Sequence, residues 1–326
     1  MAELTQRVSL TLPDGTLNPD AVGWACRPLV DTSGIGGRHG WGRNKRWEYW
    51  SVVSPTHVLT LTVSSIDYAA VHSVWVFDRA MRRPRAGEAT VLPSRGVRLA
   101  PSLGDGPAYA RAHDLAIAVE PDGASTRLRA RIPGVEFDVV VTRPPRRDCL
   151  AVVVPWTEHT FQYTVKEIGL PAAGSATIDG VRHEVPAGES WAVLDHGRGR
   201  WPYRVHWNWG AGWGCSGGHE IGVQVGGLWT VGTGATENGI LVDGVLHKID
   251  EELDWSYDLA DWRRPWRVVG GGLDATFTPE YDRRASTNLG VVASRTDQCF
   301  GRWSGTFGEV SFDGLYGWAE DVTNRW

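Results

Sequence analysis

Short runs of alternating apolar and polar residues recur along this chain: Val58 to Val63 (VLTLTV), Ser73 to Phe77 (SVWVF), Leu115 to Val119 (LAIAV), Leu128 to Ile132 (LRARI), Val135 to Val141 (VEFDVVV), Leu150 to Val154 (LAVVV) and Ile221 to Val225 (IGVQV). Successive side chains of a strand point to opposite faces, so this period of two predicts strands with one face buried. Asp-Gly pairs at 122/123, 179/180, 243/244 and 313/314 lie between such runs. The last three, as in ATIDGVRHEV and ILVDGVLHKI, predict tight hairpin turns, because both residues tolerate positive φ. One short helix is expected near Leu259 to Arg264, ended by Pro265, while 40 glycines and 18 prolines argue against longer ones. The pattern predicts an all-β chain of antiparallel barrels or barrel-like sandwiches, and 326 residues call for two in tandem. The small-residue stretch IGLPAAGSA, after PWTEHTFQYTV, sets the expected boundary between an N-terminal barrel, residues 1–165, and a C-terminal barrel, residues 166–326.

Composition narrows the chemistry. Eighteen tryptophans against two methionines are an unusual balance. Each indole brings a large apolar area and an N–H that needs a partner when buried, so these rings are expected to line cavities or cap barrel ends. A net charge of −5, with 33 basic and 38 acidic residues scattered along the chain, leaves no footprint for nucleic acid. Cys26, Cys149, Cys215 and Cys299 form no CxxC pair, so neither a zinc ribbon nor a disulfide scaffold is expected, and reduced thiols in a cytoplasm fit best. No stretch approaches membrane-spanning length, and no protein partner is indicated. His183-Glu184, His219-Glu220 and Glu158-His159 lack metal-ligand spacing, so no metal is expected. Gly212, Gly214 and Gly217 satisfy GxGxxG, and GCSGG around Ser216 satisfies GxSxG, but both mechanisms require a following helix. The next segment, HEIGVQVGGLW, alternates as a strand, so GAGWGCSGG reads as a hairpin loop and no nucleotide or redox cofactor is expected.

The densest candidate chemistry is VLDHGRGRWPYRVHWNWGAGW, which holds Asp195, His196, Tyr203, His206, Trp201, Trp207, Trp209 and Trp213. A carboxylic acid desolvated among indoles gains a raised pKa suited to proton donation, and the rings offer faces to a cation or a sugar. His196 would orient the acid and Tyr203 would donate a hydrogen bond to it. Trp207 and Trp209 share one side of a strand, with Asn208 on the other; the indole side is either a barrel lumen or simple core. Glu237 and Asn238, in the loop GTGATENG before the strand ILV, would line a barrel mouth, with Glu237 a second carboxylate opposite Asp195.

The opening LPDGTLNPDAVGWACRPL, then WGRNKRWEYW, GRGRWPYRVHWNWG, TENGILVDG and the closing GLYGWAEDVTNRW resemble the bacterial and fungal proteins grouped as domain of unknown function 2804. That family is distantly similar to proteins with two lipocalin-like (calycin) barrels, namely carotenoid 1,2-hydratase, tocopherol cyclase and certain natural-product cyclases. The resemblance implies two tandem lipocalin-like barrels. It also implies that Asp195-His196 corresponds to an Asp-His motif on the second barrel, although this chain continues GRGRWPY, unlike the hydratases. Three functional readings follow. The first is acid-catalysed hydration, cyclisation or isomerisation of a small, mainly hydrophobic molecule, with Asp195 delivering the proton and Trp207 and Trp209 stabilising positive charge. The second is a carrier that holds a lipid or isoprenoid unchanged. The third is carbohydrate chemistry, with sugars stacked on Trp201, Trp207 and Trp209 and the pair Asp195 and Glu237 at work.

Overall fold

The computed structural model describes residues 1–288 and 293–325. Within them the alternating runs become strands. His57–Ser65, Ala70–Asp78, Leu115–Asp122, Ser125–Ile132, Val135–Thr142, Leu150–Pro155 and His219–Gly227 each contain one of the predicted segments. Two large antiparallel sheets result. The first runs in the order Arg83–Val91, Ala70–Asp78, His57–Ser65, Asn44–Val53, Trp191–Arg200, Phe161–Ile178, Val135–Thr142, Ser125–Ile132, Leu115–Asp122, Ala108–Ala112, Val97–Arg98. It curls so that Trp50, Leu61 and Val74 of one half pack against Ile117, Leu128 and Val139 of the other. The second runs Val245–Ile249, Asn238–Val242, His219–Gly227, Arg204–Ser216, Val310–Arg325, Ala293–Phe307, Leu273–Asn288, Trp266–Gly270, Asp254–Ser256. Its concave core includes Ile221, Val225, Trp266, Phe277 and Trp303.

The expected boundary at residue 166 falls inside the strand Phe161–Ile178. That strand bends at Gly169, where φ is +71° and the register shifts between Ile168 and Leu170. Its first half pairs with Leu150–Pro155 and its second with Val135–Thr142, so the small residues of IGLPAAGSA mark a bend in one strand. The chain passes from the first large sheet to the second between Arg200 and Arg204. One turn signal also resolves differently. Asp179-Gly180 and Asp243-Gly244 are hairpin turns, but Asp313-Gly314 lies within Val310–Arg325, opposite Ser304 where the register slips; positive φ at Gly314 suits a bulge as well as a turn. The expected helix near Leu259 to Arg264 is a series of turns. There the Asp258 and Asp261 carboxylates accept hydrogen bonds from the Ala260 and Arg263 amides and so compete with helical pairing.

The convex faces of the two sheets meet. Trp75 stacks on Phe300 at 5.1 Å, Phe77 lies 4.3 Å from Tyr281, and Arg79 sits 3.8 Å over Tyr316. Trp318, Trp209, Trp191 and Val193 join the same cluster. This aromatic seam seals one end of the interface. Beyond it the sheets part, leaving a cleft.

Candidate functional site

Strand register assembles the walls of the cleft. On the first sheet, cross-strand pairing sets Glu88, Ser73, Thr62, Tyr49, Asp195 and Lys166 in one row. Thr90, Val71, Ser64, Trp47, Gly197 and Thr164 form the next. On the second sheet Arg283, Gln298, Glu320 and Trp209 form one row, and Ala285, Thr296, Val322 and Trp207 the next. Between them lies a cavity of about 470 Å³, lined by these residues other than Gly197 together with Lys45, Trp201, Trp229 and Glu237.

Asp195 faces this cavity. Its Oδ1 lies 2.9 Å from Lys166 Nζ and accepts a hydrogen bond from Thr164 Oγ1 at 3.2 Å, while Oδ2 accepts one from Trp47 Nε1 at 3.1 Å. Trp47 reaches that position because its strand partner is Gly197: a Cβ there would come within 2.1 Å of the indole. Thus Gly197 makes room for Trp47 on the cleft side, while Arg198 turns to the Trp47 and Ala100 carbonyls and Arg200 to Asn44 and the Gly15 carbonyl. Lys166 Nζ lies 3.3 Å from Glu237 Oε1 and 4.0 Å above the Trp209 ring. Burial acts to lower the Lys166 pKa, but the two carboxylates outweigh it and the net shift is upward. Glu237 lies against Gly226, and burial raises its pKa despite Lys166.

Glu320 faces the cleft from the other sheet. Its Oε1 accepts from Trp207 Nε1 at 3.0 Å and its Oε2 from Gln298 Nε2 at 2.8 Å. Burial lifts its pKa to about 7, against the opposing effects of Trp207 and Lys166. Lys45 lines the same cavity, with its pKa drawn down to about 8 by burial. One wall is indole: Trp201 stacks on Trp229 at 5.9 Å and meets Trp47 and Trp207 edge-on at 5.4 and 5.8 Å.

The structure therefore brings Asp195, Glu237, Trp201, Trp207 and Trp209 to one cavity. Asp195 belongs to the first sheet, since Trp191–Arg200 pairs with Asn44–Val53 and Phe161–Ile178; the expected place on the second barrel is corrected accordingly. Trp207 and Trp209 do lie opposite Asn208, but the indoles face the cleft and Asn208 faces the second barrel's interior, where it bonds to Tyr257. His196 turns away from Asp195 into the first barrel. It is fully buried there, 3.7 Å from Glu48, and burial lowers its pKa to about 4. Tyr203 is exposed beside a separate surface hollow with His39 and Arg43. Asn238 is tied up structurally, accepting from Gly226 N and donating to Glu251 O. Trp213 packs against Trp191 in the seam.

Lys166, Glu320, Gln298, Arg283 and Thr164 were not marked by the sequence reading. Glu320 carried a signal, a charged residue sharing its phase with Trp318 and Val322, whereas Thr164 and Lys166 fall in the polar phase that alternates with Tyr163 and Val165 and so resemble a solvent face. Among the described residues no group of three or more His, Cys, Asp or Glu side chains is disposed to hold a metal ion. All four cysteines are free, Ser216 Oγ accepts from Asp313 N, and among the described residues no helix is long and apolar enough to cross a membrane.

Two curled antiparallel sheets packed through their convex faces define a two-barrel, lipocalin-like protein. Solved structures share this architecture at low identity. Kievitone hydratase from Nectria haematococca aligns with a TM-score of 0.55 and 11% identity over 98% of each chain. CghA with Sch210972 aligns at 0.54 and 10%, over 87% of this chain and 88% of that one. The chain belongs to the family called domain of unknown function 2804, whose model matches residues 1–326. No curated protein matches the chain.

Proposed function

We propose that the cleft is the active site of an enzyme that protonates a small, mainly hydrophobic molecule and so hydrates, cyclises or isomerises it. The observation that carries this reading is the juxtaposition, in one cavity, of indole walls with Glu320, an acid whose pKa is set near 7. An acid tuned to ambient pH is half loaded and still strong enough to donate. The proton moves from Glu320 to a substrate double bond. Water or an internal nucleophile closes on the resulting cation, or a neighbouring proton leaves, and a proton returns to the Glu320 carboxylate. The role first expected of Asp195 thereby passes to Glu320, because Asp195 is ion-paired with the Lys166 ammonium, whereas Glu320 accepts only from the neutral Trp207 indole and Gln298 amide. Asp195 and Lys166 instead supply a fixed dipole beside the reacting carbon. The Trp209 face expected to hold the cation is taken by Lys166, which leaves Trp47, Trp201 and Trp207 for that role. The fold shared with a hydratase is consistent with this chemistry.

The carbohydrate reading has less support. Lys166 stands between Asp195 and Glu237, where a glycosidic bond would have to lie. The test is to incubate isoprenoid and polyene candidates with the protein in deuterium oxide and follow isotope incorporation by mass spectrometry. Incorporation by the wild type that Glu320→Gln abolishes is expected. Equal incorporation by both proteins would overturn the assignment, and if no candidate is labelled while lipid is retained unchanged, the carrier reading takes its place.

A further inference from the structure

Arg283 enters the cleft from the strand Leu273–Asn288 with no carboxylate within ion-pair distance among the described residues. Its guanidinium makes one side-chain hydrogen bond, Nη1 to Gln298 Oε1 at 3.2 Å, and lies 4.5 Å above the Trp75 ring. A guanidinium has five N–H donors in a rigid fork, and here most of them are uncommitted. Arg283 lines the cavity, so these donors are within reach of a molecule bound there. The Trp75 face and the Gln298 amide hold the fork in one orientation, which lowers the entropy cost of using it.

A second donor converges on the same place. The Tyr49 hydroxyl is buried with no hydrogen-bond partner among the described residues. Its ring packs edge-on against Trp209 and Trp318 of the opposite sheet, which carries the hydroxyl toward the row of Arg283, Gln298 and Glu320. An orphan buried hydroxyl is costly unless something else satisfies it. Gln298 links the two ends of this row, accepting from Arg283 and donating to Glu320, so its amide orientation is defined.

We propose that Arg283 and Tyr49 form a carboxylate-recognition site, and that the substrate is an apolar skeleton bearing one carboxylate held by the Arg283 fork and the Tyr49 hydroxyl. This rests on the reading that the cleft binds a small molecule, and it adds the substrate class. One arginine fork and one hydroxyl match a single carboxylate. The surrounding indoles and small side chains take the apolar body. The arrangement places the substrate's reacting carbons within a short span of Glu320, and a bound anion beside Glu320 favours the protonated form of that acid.

The test is isothermal titration calorimetry of the full chain with 2-naphthoate and methyl 2-naphthoate, two ligands that differ in the carboxylate charge and otherwise share their ring system. The wild type is expected to bind the acid about ten-fold or more tightly than the ester, as for a charge-assisted contact. Arg283→Met should abolish that preference. Arg283→Lys should restore only part of it, because an ammonium cannot make the fork. Tyr49→Phe, a milder change, should weaken the acid and leave the ester unchanged. Equal affinity for acid and ester, no binding of the acid by the wild type, or an undiminished preference in Arg283→Met would overturn the site. No turnover is measured, so a failure of Glu320 as proton donor leaves this result unaffected.

Discussion

At the residue scale, opposite environments divide two carboxylic acids. Asp195 accepts from an indole N–H, a hydroxyl and an ammonium, whereas Glu320 meets two neutral donors and keeps the cost of burial. Because the Glu320 pKa is raised to about 7, its protonated form dominates below that pH and is lost above it. The kcat/KM of the proposed reaction should therefore fall as pH rises through about 7, and Glu320→Gln should lower kcat by about 100-fold or more, read from initial rates. Lys166 answers two buried carboxylates, so Lys166→Met should cost about 3 to 5 kcal/mol in urea unfolding. The sign with pH is defined. Carboxyls left unpaired in the folded variant bind protons more readily than in the unfolded chain, so the deficit should shrink from pH 8 to pH 5. An equal deficit at both would argue against a charge origin.

At the element scale, the strand Trp191–Arg200 shows how one sequence serves two compartments. Its positions Asp195 and Gly197 turn to the cleft side; the alternate positions turn away from it, His196 and Arg198 toward Glu48 and Arg200 toward Asn44 and the Gly15 carbonyl. The Asp-His pair therefore does not act as a unit, because a strand sends adjacent side chains to opposite faces. Gly197→Ala should push Trp47 off the strand and release Asp195 Oδ2, destabilising the fold by about 1 to 3 kcal/mol and changing the tryptophan emission. Unchanged stability and emission would show that the close approach of Trp47 is unimportant. The periodicity that located the seven strands could not distinguish a bend from a boundary at IGLPAAGSA, or a bulge from a turn at Asp313-Gly314, since both choices use the same small or positive-φ residues.

At the scale of the whole molecule, the cleft exists because two convex faces are held together by Trp75, Phe77, Phe300, Trp318 and Tyr281. Phe300 is fully buried in that seam, and Phe300→Ala should cost about 3 to 5 kcal/mol. Because both sheets share this core, calorimetry should show one cooperative unfolding transition, and two well-separated transitions would contradict a shared seam. The sequence by itself determined the all-β class, the positions of seven strands and the local density of indoles around Asp195, because period-two burial and residue chemistry are written locally. Lys166, Glu320, Arg283 and Tyr49 come from four strands of two different sheets. Only the packing of those sheets decided that they face one another, and that packing also decided that His196, Tyr203, Asn208 and Asn238 do not join them. Alternation states that a residue has a side; which side becomes a cleft depends on sheet curvature and on what covers it.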